Sequence, residues 1–162
     1  MELWKQPPRA KVFEAFTAVA DGRVRFTGPG SATVTSSRGD KTYDVTWTDD
    51  GRTVAANDNA SYWQGYAGYP ILAVLLERGE LHAGEAAVAA MAGVPWHDLN
   101  KRYGRDYDAA VAHVLGELAR RGGDPALVER EVDEVLRQLA ALGLRRASRG
   151  RRPPASGRTR PA

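Results

Sequence analysis

Apolar residues recur with two different periods along this chain, and the changes of period divide it into elements. Val12, Phe13, Phe16 and Val19 fall on one stripe at helical spacing, which predicts a helix over 10–20. Asp21-Gly22 stops it, glycine being free to take a positive φ. From there the period is two. Val24 and Phe26 alternate with Arg23 and Arg25, and 32–36 is rich in β-branched residues. Over 42–48, Tyr43, Val45 and Trp47 point one way and Thr42, Asp44, Thr46 and Thr48 the other. Gly28-Pro29-Gly30, Ser37-Arg38-Gly39-Asp40 and Asp49-Asp50-Gly51 have the composition of turns, and Thr53–Ala56 returns as a fourth strand. The Arg-Gly-Asp triplet in the second turn also matches an integrin-binding tripeptide, but turn chemistry alone accounts for it.

The pattern then breaks. Asn57-Asp58-Asn59-Ala60-Ser61-Tyr62-Trp63-Gln64-Gly65-Tyr66-Ala67-Gly68-Tyr69 crowds four aromatic rings into a loop, more than a strand-to-helix link needs. Two readings fit: a plug that buries ring area, or an exposed platform on which bases stack. Asp58 or Asn59 is suited to accept backbone N–H groups there. Pro70 suits the first turn of a helix, and Ile71-Leu72-Ala73-Val74-Leu75-Leu76 is apolar all round, which predicts burial. Past Gly79 every signal is helical: 85–92, 96–103, 107–121 and a last helix ending at Leu142. Val128, Val132, Val135, Leu139 and Leu142 of that last helix follow a short heptad seam. With only Gly122-Gly123-Asp124 before it, it forms an antiparallel hairpin with the preceding helix.

The expected fold is therefore α+β: an N-terminal helix, a four-stranded antiparallel meander and a buried helix, followed by a helical C-terminal half and a disordered basic tail. The corresponding divisions are 1–79, 80–144 and 145–162. Charge sharpens the last boundary. The net charge of +3 hides seven arginines after residue 144, at 145, 146, 149, 151, 152, 158 and 160, with no acid among them. Without those seven, 16 basic residues face 20 acidic ones. A tail of this composition has no large apolar residue to bury, and it either solubilises the chain or binds phosphates by counterion release. There is no cysteine, which excludes disulfides, thiolate metal sites and cysteine nucleophiles. No apolar run approaches a membrane span and the first residues do not read as a signal peptide, so a cytoplasmic protein is expected. His82, His97 and His113 share no ligand spacing, and neither a phosphate-binding loop nor a nucleophile elbow occurs. No catalytic residue, metal site or cofactor is expected.

Two resemblances bear on function. Gly22-Arg23-Val24, Ala32-Thr33-Val34-Thr35-Ser36-Ser37, Tyr43-Asp44-Val45 and the apolar helix Ile71-Leu72-Ala73-Val74-Leu75-Leu76 together resemble the SWIM zinc-finger family. The resemblance covers about 22–78 and implies a small scaffold that touches nucleic acid or other proteins. In that family a Cys-x-Cys pair and a Cys-x-His pair hold zinc. The matching positions here are Ala56 and Asp58, or Asn57 and Asn59, and then Gly68 and Pro70. None is a thiolate or an imidazole, so the resemblance implies a scaffold without its metal. Separately, 86–103 resembles a helix-turn-helix, with Ala89 at the helix contact, Gly93 in the turn and Leu99 as the anchor; plain helical packing is the other reading. Its second helix would present His97, Asn100, Lys101 and Arg102, with Arg105 after it. The expectation is a small non-enzymatic adaptor associated with nucleic acid. Its binding residues would be Asn100, Lys101, Arg102, Arg105, Tyr62, Trp63, Tyr66, Arg145, Arg146, Arg149, Arg151 and Arg152. The alternative is a protein-interaction module, or homodimer, joined through its C-terminal helices.

Overall fold

The computed structural model describes residues 2–147 and 152–154. Its first helix, α1 (Arg9–Ala20), has no solvent face over most of its length: every residue from Ala10 to Ala18 is buried, Lys11 and Glu14 included. The apolar stripe predicts one buried face, but α1 runs through the middle of the molecule. The helices α2 (Tyr69–Glu77), α3 (Glu85–Ala90), α5 (Tyr107–Arg120) and α6 (Pro125–Leu142) all lie against it. The short α4 (Trp96–Arg102) packs on α5. It is tied to α1 through Trp96, whose Nε1 donates to Thr17 Oγ1 at 2.8 Å, while that hydroxyl donates to the Met91 carbonyl at 2.6 Å. Buried hydroxyl and indole are thus both satisfied, as a low-dielectric interior requires.

The period-two segments form the expected antiparallel meander: β1 (Val24–Gly28), β2 (Ser31–Thr35), β3 (Thr42–Trp47) and β4 (Thr53–Ala56). Register sets Ala32 opposite Val45 and Val45 opposite Ala56, so these residues share one face and bury it beneath α2. Toward the outer edge that face opens. Phe26 is exposed and rests edge-on against Trp47, ring centroids 6.1 Å apart, while the Arg78 guanidinium lies over the Trp47 ring at 4.6 Å. Trp47 is only half-buried. Trp47→Ala is therefore expected to cost about 2 kcal/mol, below the roughly 3–5 kcal/mol of a fully enclosed ring, from lost packing plus the cation–π contact. A urea melt measures it; a shift under about 0.5 kcal/mol means the ring packs on nothing in solution.

The sheet has a fifth strand, which composition did not predict. Arg145–Arg146 (β5) joins the open edge of β4 in parallel, Thr53 opposite Arg145 and Val54 opposite Arg146. The boundary of the basic tail at 145 is corrected accordingly. Leu144 is buried and anchors the segment. Arg145 N–H then donates to the Arg52 carbonyl at 2.7 Å and Ala147 N–H to that of Val54 at 3.0 Å. Arg146 lays its guanidinium over Trp4 at 5.1 Å and donates to the carbonyls of Ser61 and Tyr62 at 3.3 and 3.1 Å. An arginine with an aromatic face and two carbonyl acceptors at hand orders readily whatever the average composition around it.

In the helical half, Asp106 and Asp124 cap α5 and α6, accepting from Ala109 N–H at 3.0 Å and Leu127 N–H at 3.3 Å. The seam residues Val128, Val132, Val135 and Leu139 are all buried, and α6 spends that face on α1, α3 and α5 of its own chain. These four are not free to dimerise. The buried apolar residues form one cluster drawn from both sides of residue 79, from Ala10 to Leu144. Among the described residues no helix is long and apolar enough to cross a membrane.

Candidate functional site

A cleft of about 1100 Å³ opens between the sheet side and the α4 side of the molecule. Lys11 and Glu14 of α1 form part of its floor, the β2–β3 turn stands on one side, and α4 with the residues after it stands on the other. The turn and α4 touch. His97 N–H donates to Ser37 Oγ at 3.1 Å, and Arg38 Nη1 lies 3.2 Å from His97 Nε2.

Lys11 and Glu14, one helical turn apart, form a buried ion pair with Nζ 3.0 Å from Oε2, while Asn100 Nδ2 donates to Oε1 at 3.0 Å. The Lys11 ammonium is the charge that compensates Oε2. Lys11 also sits over the Tyr107 ring at 4.3 Å. Burial works against the ammonium, but the charge of Glu14 and its hydrogen bond outweigh it and hold the Lys11 pKa above the ordinary value. Tyr43 and Tyr69 meet edge to face at 6.3 Å. Burial, assisted by the charge of Asp58, pushes the Tyr43 hydroxyl up to about 12. Burial raises Tyr69 as well, so both rings keep their protons at neutral pH.

Beyond β4 the chain turns inward. Asn57 Oδ1 accepts from Asp44 N–H at 2.7 Å. Asp58, only 5% exposed, accepts through Oδ2 from Ser61 N–H at 3.1 Å, and Ser61 Oγ accepts from Gly68 N–H at 3.1 Å. A Cβ at Gly68 would run into the Asp58 carboxylate, which is why that position must be glycine. Among the described residues Asp58 Oδ1 has no hydrogen-bond partner. Burial is the largest influence on this carboxyl and raises its pKa. A group bound to its proton more tightly when folded adds stability that is full below its unfolded value of about 3.9 and is lost as pH rises through the folded value. Asp58→Asn is accordingly expected to raise the melting temperature at pH 7 and to lose that advantage near pH 3. Thermal melts of both proteins over pH 3–8 check this; an Asn variant less stable at pH 7 would mean the carboxylate is well solvated.

After Asn59 comes a short π-helix, Ala60–Gln64, closed by Gly65 at φ 74°. Such turns are rare and concentrate at functional sites. This one carries Trp63 to the rim of the cleft, 56% exposed, with the Tyr62 ring edge-on behind it at 4.6 Å.

Of the residues expected to bind, Asn100, Lys101, Arg105, Trp63 and Tyr66 line this one cleft. Others lie elsewhere. Arg102 lies over Tyr103 at 5.7 Å, outside the cleft, and Tyr62 supports Trp63 without lining it. Arg145 and Arg146 belong to the sheet edge, where Arg146 is structural. Arg152 is exposed and does not line the cleft, while Arg149 and Arg151 lie outside the described residues. The aromatic loop combines both readings: Tyr69 plugs against Tyr43 and Trp63 stays open.

The helix-turn-helix register does not hold. Ala89 is exposed, Ala87 is the buried alanine, and α3 packs on α1 and α6. Instead α4 buries Trp96 and Leu99 and gives its other side to the cleft wall. Sequence reasoning missed Lys11, Glu14, Arg23, Arg38, Lys41 and Tyr107. The one available signal was an i, i+3 Lys–Glu pair inside an otherwise apolar helix. The lining thus holds six cations (Lys11, Arg23, Arg38, Lys41, Lys101, Arg105) against three carboxylates (Glu14, Asp40, Asp58). A chain that is acidic on average outside its arginine-rich end concentrates positive charge here.

Among the described residues no three His, Asp or Glu side chains gather as a metal site needs. Asp58 abuts Gly68, and glycine offers no metal ligand there. No curated protein and no solved structure matches the chain. A family profile matches residues 4–145, and the chain belongs to that family, described as Uncharacterised conserved protein UCP014422.

Proposed function

We propose that this protein is a non-enzymatic binding module whose cleft takes a short stretch of single-stranded nucleic acid. The observation that carries the reading is the meeting of Trp63 and Tyr66 with Lys101, Arg105, Arg38 and Lys41 on one concave surface. Exposed rings on which bases stack, beside cations that track phosphates, are the two components of single-strand binding, and each stacked base contributes about 1–3 kcal/mol. The cleft volume of about 1100 Å³ is at the upper end for enclosed ligands, which suits a few nucleotides better than a duplex. The test is fluorescence anisotropy of a labelled hexanucleotide with the full chain and with a chain ending at Ala147, which removes five arginines. Binding by the cleft survives that truncation at moderate salt. Binding lost entirely with the tail would place the affinity in the arginines and overturn the reading.

The same reading takes the scaffold as SWIM-like and free of metal. The adjacency of Asp58 and Gly68, positions where that family's two ligand pairs would face each other, supports it. Here buried polar contacts from Asp58 and Ser61 do the holding. A chelator is expected to leave the melting temperature unchanged, and elemental analysis to find less than about one tenth of an equivalent of zinc. Stoichiometric zinc whose removal lowers the melting temperature would refute the metal-free scaffold.

A further inference from the structure

The exposed ring of the cleft stands on a short turn that the two ends of the chain hold in place. The π-helix Ala60–Gln64 has five residues, and the last carbonyls of a helix have no N–H of that helix to accept from. Arg146 supplies a donor from the far end of the sequence. Its Nη2 donates to the carbonyls of Ser61 and Tyr62 at 3.3 and 3.1 Å, the two residues that precede Trp63. A guanidinium only donates, so a pair of carbonyls suits it, and a charged donor makes the stronger bond. Nη1 comes within 3.2 Å of where a Cβ at Gly65 would stand, so the same group also bears on the residue that closes the turn. Arg146 is itself fixed. β5 pairs with β4, Arg146 N–H donates to the Glu2 carbonyl at 2.7 Å, and the guanidinium lies over Trp4 at 5.1 Å. The N-terminal segment that supplies Glu2 and Trp4 then reaches the other side of the loop. Lys5 N–H donates to the Gly65 carbonyl at 3.0 Å, and Ala67 N–H donates to the Lys5 carbonyl at 3.4 Å. Neither Arg146 nor Lys5 lines the cleft.

We propose that Arg146 is a positioning residue for the nucleic-acid site: by holding the carbonyls of Ser61 and Tyr62 it fixes the π-helix that presents Trp63 at the rim of the cleft. The inference rests on the cleft being a nucleic-acid site and names a residue outside it on which stacking depends. Stacking is short-ranged, so a base gains from Trp63 only where the ring already stands in place. A loose turn has to be ordered when the strand binds, and that ordering is subtracted from the affinity. Trp63 is 56% exposed, and the Tyr62 ring edge-on against it belongs to the same turn, so that contact travels with Trp63. The hold on the turn comes from β5 and from the N-terminal segment, both distant in sequence. Lys101 and Arg105 bring charge to the site, whereas Arg146, with Nη2 committed to two carbonyls, brings geometry. Removing Arg146 therefore acts on stacking and leaves the phosphate contacts as they are.

The experiment is a double-mutant cycle on the full chain. Anisotropy of the labelled hexanucleotide is measured over a salt series for the wild type, Arg146→Met, Trp63→Ala and the double variant. Methionine keeps an apolar stem over Trp4 and loses the donors. Arg146→Met is expected to weaken binding by about fivefold with the salt slope unchanged, and to add less than about twofold once Trp63 is alanine. Arg146→Lys, which keeps a charged donor, is expected to bind within about twofold of the wild type. A direct phosphate contact would lower the slope by about 0.7 and keep its whole effect without Trp63, which overturns the inference. A merely structural Arg146 would lower the melting temperature and leave the affinity of Arg146→Met within about twofold of the wild type, which overturns it as well. Where Arg146→Met fails to fold, Arg146→Gln makes the same cycle, since its shorter side chain keeps a neutral donor. Failure of the wild type to bind the hexanucleotide overturns the proposed function itself, whereas binding that depends on Trp63 but not on Arg146 removes only the positioning role.

Discussion

Glu14→Gln is expected to remove about 3–5 kcal/mol of stability, because it leaves the Lys11 ammonium buried with no compensating charge. Lys11 is 8% exposed and its Nζ meets Glu14 Oε2 at 3.0 Å. The Tyr107 ring at 4.3 Å offers a cation–π contact worth about 1–2 kcal/mol, too little to replace an ion partner. The pH dependence identifies the mechanism. In the wild type the Lys11 pKa is raised, so the stability it contributes is fully present below the unfolded value of about 10.4 and is lost as pH rises through the folded value. In Glu14→Gln both influences of Glu14 are gone and burial, the largest one left, lowers the pKa. The variant should therefore gain stability as pH climbs from 7 toward 10 while the wild type does not. Lys11→Met/Glu14→Gln should recover most of the loss, since removing both charges leaves nothing unpaired. Urea melts at pH 7, 8.5 and 10 measure all three proteins. A loss below about 1 kcal/mol at pH 7 would show that water reaches the pair.

This pair also shows how far sequence reasoning extends and where it stops. Alternation identified the meander because strand side chains have a fixed period and the face of Ala32, Val45 and Ala56 is really buried. It could not see the position of α1. A stripe at Val12, Phe13 and Phe16 defines one face, and whether helices also cover the opposite face depends on residues far along the chain. Nothing in that stripe singles out Lys11 and Glu14, which are buried and paired. Arg146 misled: judged by composition it belongs to a disordered tail, yet Trp4 and two carbonyls fix it. The cleft was half legible. Local pattern singled out Trp63, Tyr66, Asn100, Lys101 and Arg105, but not that they meet, nor that Arg38 joins His97 across 59 residues. Arg102, equally basic, turns to Tyr103 because the α4 helix places it away from the cleft.

That difference between neighbouring basic residues gives the second large effect. In the chain ending at Ala147, Trp63→Ala combined with Lys101→Ala and Arg105→Ala is expected to weaken hexanucleotide binding by at least a hundredfold, roughly 3 kcal/mol, from one lost stacking platform and two lost phosphate contacts. The parts separate by salt. Each phosphate contact on a single strand contributes about 0.7 to the slope of log affinity against log salt, so Lys101→Ala with Arg105→Ala should flatten that slope by about 1.4. Trp63→Ala should lower affinity by about tenfold or more with the slope unchanged, because stacking releases no counterions. Trp63 is exposed and all three side chains lie on the surface, so folding should survive, and a melting temperature within a few degrees of the parent verifies it. Arg102→Ala is the internal control. It removes the same formal charge one residue from Lys101, but from outside the cleft. If binding depends on the shape of the cleft, this control changes affinity by less than about threefold; if any nearby positive charge is enough, it matches Lys101→Ala, and the cleft is then no more than one basic patch among several.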